Sequence, residues 1–127
     1  MRRSVLAAAC LAASPALSEE IHPDRAFVLN CDFGRSCISD GCGEEDYKVT
    51  LEVEGAQARF RDHQVTLNMT GGYDPASGQM SFTSEPSDGS SYFVTDFGNA
   101  GAVLSIHTQS EGRPIVIAFD GRCEEVQ

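Results

Sequence analysis

Three of the chain's cysteines, Cys31, Cys37 and Cys42, fall close together, and a fourth, Cys123, lies near the other end. If these four form two bonds, little freedom remains for what lies between. The fifth, Cys10, sits in a segment that reads as a secretory signal. Met1-Arg2-Arg3 is a basic start, Ser4 to Ala13 is a short apolar run, and Ala16-Leu17-Ser18 puts small residues at the −3 and −1 positions of a cleavage site. The expectation is a signal peptide over residues 1–18 and a single domain over residues 19–127. Ala8-Ala9-Cys10 loosely resembles the end of a lipoprotein signal, but Ala7 stands where a large aliphatic residue is usual. Cleavage would leave an even number of cysteines in an exported chain, the pattern of two disulfides in an oxidising compartment, periplasmic or secreted.

Between the cysteines the apolar residues alternate with polar ones. Phe27, Leu29 and Cys31 share one face of a first strand. After an interval from Phe33 to Glu45 that carries Gly34, Gly41 and Gly43 and reads as a loop, Tyr47, Val49, Leu51 and Val53 alternate with Lys48, Thr50, Glu52 and Glu54. Short strands follow around Ala58–Phe60, Val65–Met69, Met80–Phe82, Tyr92–Phe97, Ala102–Ile106 and Ile115–Cys123. Turn chemistry separates them: Gly55-Ala56, Gly71-Gly72, Asp74 to Gly78, Glu85 to Gly89, Gly98-Asn99 and Gln109 to Arg113. Helical periodicity is not sustained anywhere. Eight strands in hairpin sequence predict an all-β fold, a small antiparallel up-and-down barrel stapled by disulfides, with a β-sandwich of the same strands as the alternative. Cys31 and Cys123 share core-face parity on the first and last strands, so they are expected to pair across the barrel seam, leaving Cys37 for Cys42.

Charge narrows the partners. The chain holds 9 basic and 19 acidic residues. Loss of Arg2 and Arg3 with the signal would leave seven basic residues, a net charge of −12. Such a field repels nucleic acid and anionic membrane surfaces and attracts cationic proteins. No apolar run is long enough for a membrane span, and a monomer is expected. The clustered acids Asp40, Glu44, Glu45 and Asp46 lie in the predicted loop and are the candidate partner-binding residues. They lack the ligand pattern and fixed glycine of a calcium loop, and the cysteine spacing does not make zinc knuckles. No metal or cofactor is therefore expected. His22, His63 and His107 are the candidate bases near neutrality, but none has a catalytic motif beside it. His107 and Ser105 project side by side from one strand, and there is no Gly-x-Ser-x-Gly turn.

Phe27-x-x-x-Cys31-x-Phe33, Cys37, Cys42, Asp46-Tyr47-x-x-Thr50-Leu51-Glu52 and Gly121-x-Cys123-Glu124 together resemble a group of short exported bacterial proteins with no assigned activity. That resemblance implies a bacterial, periplasmic setting. Cys31-Asp32-Phe33-Gly34 is also similar to the Cys-Asp-x-Gly pattern in the first strand of the small barrel inhibitors of C-type lysozyme, whose chain likewise ends near a second cysteine. Their inhibitory loop reads Ser-x-Ser-Gly-x-Lys/Arg-Tyr. Here the nearest segment, Pro86 to Tyr92, keeps only Gly89 and Tyr92, and the chain has no Trp for the family's Trp-bearing strand. The expected function is an exported, non-catalytic binding or envelope-accessory protein. The alternatives are an inhibitor of a basic hydrolase such as lysozyme and a small hydrolase using His107 or His63.

Overall fold

The computed structural model describes residues 26–126. The signal sequence with Cys10, the cleavage site and His22 lie outside the described residues. Eight strands follow one another: β1 (Ala26–Ile38), β2 (Gly41–Glu54), β3 (Gln57–Arg61), β4 (Thr66–Asp74), β5 (Gln79–Ser84), β6 (Ser91–Asp96), β7 (Ala102–Ser110) and β8 (Arg113–Glu125). Each pairs antiparallel with the next, and β1 pairs with β8, so the sheet closes into a barrel. Closure leaves one sheet rather than two, and the sandwich alternative does not hold.

The alternation read from the sequence is what fills the interior. Leu29, Cys31 and Phe33 of β1 lie beside Leu51, Val49 and Tyr47 of β2 on one wall, and Phe60, Met69 and Leu104 complete the centre. Phe33 and Phe60 are fully buried; each such ring contributes about 2–3 kcal/mol through removal of apolar surface from water. The seam is closed by the Cys31–Cys123 disulfide, whose two residues lie directly opposite one another in the β1–β8 register. Cys37 pairs with Cys42, again directly across a hairpin.

Two boundaries differ from the sequence reading. Phe33 to Glu45 is not a loop. β1 and β2 both run through it, and only Ser39-Asp40 turns the chain. The register shifts between Phe33 and Arg35, where Gly34 sits in a bulge, and the side-chain alternation of β1 reverses there. Phe33 points into the core, whereas Arg35 reaches Asp120 on the outside. Gly71-Gly72 is likewise not a turn but part of β4. A Cβ on Gly71 would run into the Ser81 backbone oxygen of β5, so glycine is there for close strand approach.

Candidate functional site

Because the strands alternate in direction, the β1–β2, β3–β4, β5–β6 and β7–β8 turns all emerge at one end of the barrel. That end is uneven. β3 has only 5 residues, whereas β1, β2 and β8 have 13, 14 and 13. The upper halves of β2, β1, β8 and β7 therefore stand above the rim as a four-stranded lip. The β5–β6 and β7–β8 tips are tight, with Asp88-Gly89 and Glu111-Gly112 all at positive φ, the backbone that two-residue hairpin turns require.

The inner face of the lip carries several apolar and aromatic side chains. Ile38 stands opposite Ile117 in the β1–β8 register, 48% exposed at the top, and Ile117 and Phe119 pack down onto the core. Below them Tyr47 and Phe119 lie 4.8 Å apart between ring centroids, with Phe33 about equally far from both at 6.2 and 6.3 Å. Across the mouth Tyr92 rests on Phe60 at 5.3 Å. One carboxylate is set among these rings. Asp62, in the β3–β4 turn, accepts the Tyr47 hydroxyl at 2.5 Å and the backbone N–H groups of Gln64 and Val65, both at 2.7 Å.

These contacts fix the protonation states. Burial pushes the Asp62 carboxyl up, but the three donated hydrogen bonds more than offset it, so the group titrates below its usual value. Tyr47 is pushed well above the normal phenol range by burial and then by the Asp62 bond and charge. Tyr92 is raised by burial and by the charges of Asp62 and Asp88. Near neutrality the mouth thus presents a fixed carboxylate and two protonated phenols. Such a set can bind and orient a ligand, and none of its members exchanges protons near pH 7.

The acids singled out in the sequence are exposed at this same end, but not as a clustered loop. Asp40 is at the β1–β2 tip. Glu44, Glu45 and Asp46 are successive residues of β2 and therefore alternate between its faces. Glu45 accepts the Ser36 hydroxyl at 2.9 Å, Asp46 lies 3.3 Å from the Lys48 ammonium, and Glu44 stands opposite Arg35 in the register. His63 is exposed in the β3–β4 turn next to Asp62. His107 is exposed on the outer face of β7, opposite Ser91 and Val116. The two histidines are not brought together: His107 is on the outer face of β7, and His63 adjoins Asp62 at the edge of the aromatic mouth. Among the described residues no three His, Cys, Asp or Glu side chains converge as metal ligands.

A second concavity of about 1000 Å³ crosses the outside of β1. Its charges largely answer one another: Lys48 binds Asp32 at 2.8 Å and Arg35 approaches Asp120 at 4.0 Å. It has no dominant sign, unlike the lip.

Sequence reasoning missed the Tyr47–Asp62 pair and the rings around it, because they come from five different strands and a turn. The only local sign was Asp62 two and three residues before the N–H groups it caps, a habit of turn aspartates. The chain matches no protein-family model, no curated protein and no solved structure.

Proposed function

We propose that this is an exported, non-catalytic binding protein, periplasmic or secreted, that captures a cationic protein at the lipped end of its barrel. The observation that carries the reading is the lip itself: a β1–β2 hairpin raised above the rim, tied across by Cys37–Cys42 and edged with the exposed carboxylates of Asp40, Glu44, Glu45 and Asp46. A preformed anionic surface loses little entropy on binding and draws a cationic partner through the excess of 19 acidic over 9 basic residues. Two disulfides suit an oxidising compartment.

Inhibition of a basic hydrolase such as lysozyme is a narrower form of the same reading. Two features favour it: Cys31 of the Cys31-Asp32-Phe33-Gly34 pattern bonds to Cys123 on the last strand, and the Pro86–Tyr92 segment lies at the lipped end. The test is a capture experiment with residues 19–127 as bait in the native envelope, followed by association kinetics with the captured protein across a salt series. The triple variant Glu44→Gln, Glu45→Gln, Asp46→Asn is expected to associate about tenfold more slowly at low salt, with its thermal midpoint nearly unchanged. Equal rates for parent and variant at every salt concentration would remove the lip from the reading. Inclusion of a C-type lysozyme in the kinetics separates the inhibitor form from the general one.

A further inference from the structure

We propose that the free edge of β2, from Gly41 to Lys48, is a docking strip on which an extended cationic segment of another protein is added as an extra strand. β1 pairs with β2 up to Gly41, with one register shift at which Glu45 and Asp46 together oppose Gly34. β3, on the other side, reaches only from Thr50 to Glu54. Above Thr50, among the described residues, no strand and no turn backbone hydrogen-bonds to that side of β2. In an antiparallel sheet alternate residues turn both N–H and C=O away from their one neighbour, so this stretch offers a row of unmet donors and acceptors. Gly41 to Asp46 and Lys48 are exposed, while Tyr47 is half-buried with its side chain packed against the core.

The side chains select the occupant. Glu44, Glu45 and Asp46 place carboxylates on both faces of the strip, so lysine or arginine side chains on either face of an added strand meet an acid. A second copy of the same edge would set like charges opposite one another, which disfavours pairing of this chain with itself. The strip is also held extended. Cys37–Cys42 joins it to β1 near the top, and at the bottom Tyr47 is tied to Asp62. The β3–β4 turn at Asp62–Val65 lies where an added strand would have to stop. Gly41 to Lys48 then gives about 25 Å of pairing at ~3.3 Å per residue. Main-chain bonds would supply affinity and the acids the choice of partner, as in other strand-addition complexes.

This inference rests on the acidic lip being a recognition surface, and the test separates the two. The probe is an acetylated and amidated octapeptide alternating lysine and threonine, compared with the same peptide N-methylated at its four central residues, which keeps the charge and removes the donors. Amide exchange of the 19–127 protein is followed by NMR at low salt. The expected result is slowed exchange at alternate amides between Gly41 and Lys48, with the N-methylated peptide binding at least about tenfold more weakly, as loss of two or more hydrogen bonds implies. The Glu44→Gln, Glu45→Gln, Asp46→Asn variant should weaken the parent peptide about as much, since both faces lose their charge. If both peptides bind alike and the β2 amides exchange as in the free protein, strand addition is overturned and the acids act by charge alone. If the parent peptide does not bind, the strip is overturned outright, and the lip is then judged on its own salt series.

Discussion

Both disulfides join directly opposed residues of neighbouring strands, but they should differ sharply in what they contribute. Cys31 and Cys123 are 92 residues apart and Cys37 and Cys42 only 5. In the chain-entropy account a cross-link stabilises by shrinking the unfolded ensemble, and the loop lengths give about 4.6 kcal/mol for the seam bond and about 2.2 kcal/mol for the lip bond. The seam variant, Cys31→Ala with Cys123→Ala, also loses packing, because Cys31 is 2% exposed whereas Cys37 and Cys42 lie towards solvent. For a domain of this size each kcal/mol shifts the thermal midpoint by roughly 4–8 °C. The seam variant is therefore expected to melt about 20 °C or more below the parent, and Cys37→Ala with Cys42→Ala about 10 °C below it. Urea titration followed by far-UV circular dichroism checks the cause as well as the size. A denatured chain freed of its longest constraint exposes more surface, so the seam variant should show a steeper denaturant dependence, and the lip variant should not. Equal losses in the two variants, or an unchanged slope for the seam variant, would refute loop closure as the source of the difference.

Gly121→Ala would drive a Cβ into the Asp32 backbone oxygen across the seam, whereas Gly34→Ala meets nothing within 4 Å; urea midpoints should show a loss of about 2 kcal/mol or more for the first and within about 0.5 kcal/mol of the parent for the second. Tyr47→Phe removes the hydroxyl that Asp62 accepts and should cost about 1.5–3 kcal/mol, as a hydrogen bond to a charged group does, with the Asp62 carboxyl carbon titrating at higher pH by NMR. Since Asp62 titrates below its ordinary value in the folded protein, its stabilisation is complete above pH ~4 and fades as pH falls through the folded value; acid unfolding of Tyr47→Phe should therefore begin at higher pH. Asp96 is the opposite case: burial raises its carboxyl despite the Gly98 N–H it accepts, so Asp96→Asn, which keeps an acceptor, should be at least as stable as the parent at pH 7 and lose that advantage below pH ~4. A variant less stable at pH 7 would show that the charge itself is needed there.

The parts of the fold that were legible in the sequence are those with one buried face. Tyr47 to Val53 and Ala102 to Ile106 alternate because one set of side chains is in the core and the other is in water, and that contrast is all a period of two records. It also carried the disulfide pairing, since parity alone puts Cys31 and Cys123 on the same inner face. Gly71-Gly72 failed for a different reason. Paired glycines usually supply turn conformations, but at Gly71 the missing Cβ serves close backbone approach to β5, a tertiary fact with no local signature.

The β1–β2 tip of the lip was illegible because neither of its faces is buried deeply enough to impose a pattern. From Gly41 to Asp46 every residue of β2 is exposed, so selection for a core leaves no trace there, and Gly41 and Gly43 suggest a loop. The bulge at Gly34 then reverses the alternation of β1 just where the strand leaves the barrel, hiding its continuation. What holds these residues in strands is the β1–β2 and β1–β8 ladders together with Cys37–Cys42, all of them pairings rather than patterns. The consequence bears on function. A strand kept extended above the rim, paired on one side only among the described residues and lined with acids, has a shape set by its neighbours and side chains that serve no core. Its composition is free to answer to a partner instead, and the acids first singled out by charge, Glu44, Glu45 and Asp46, are the residues that occupy it.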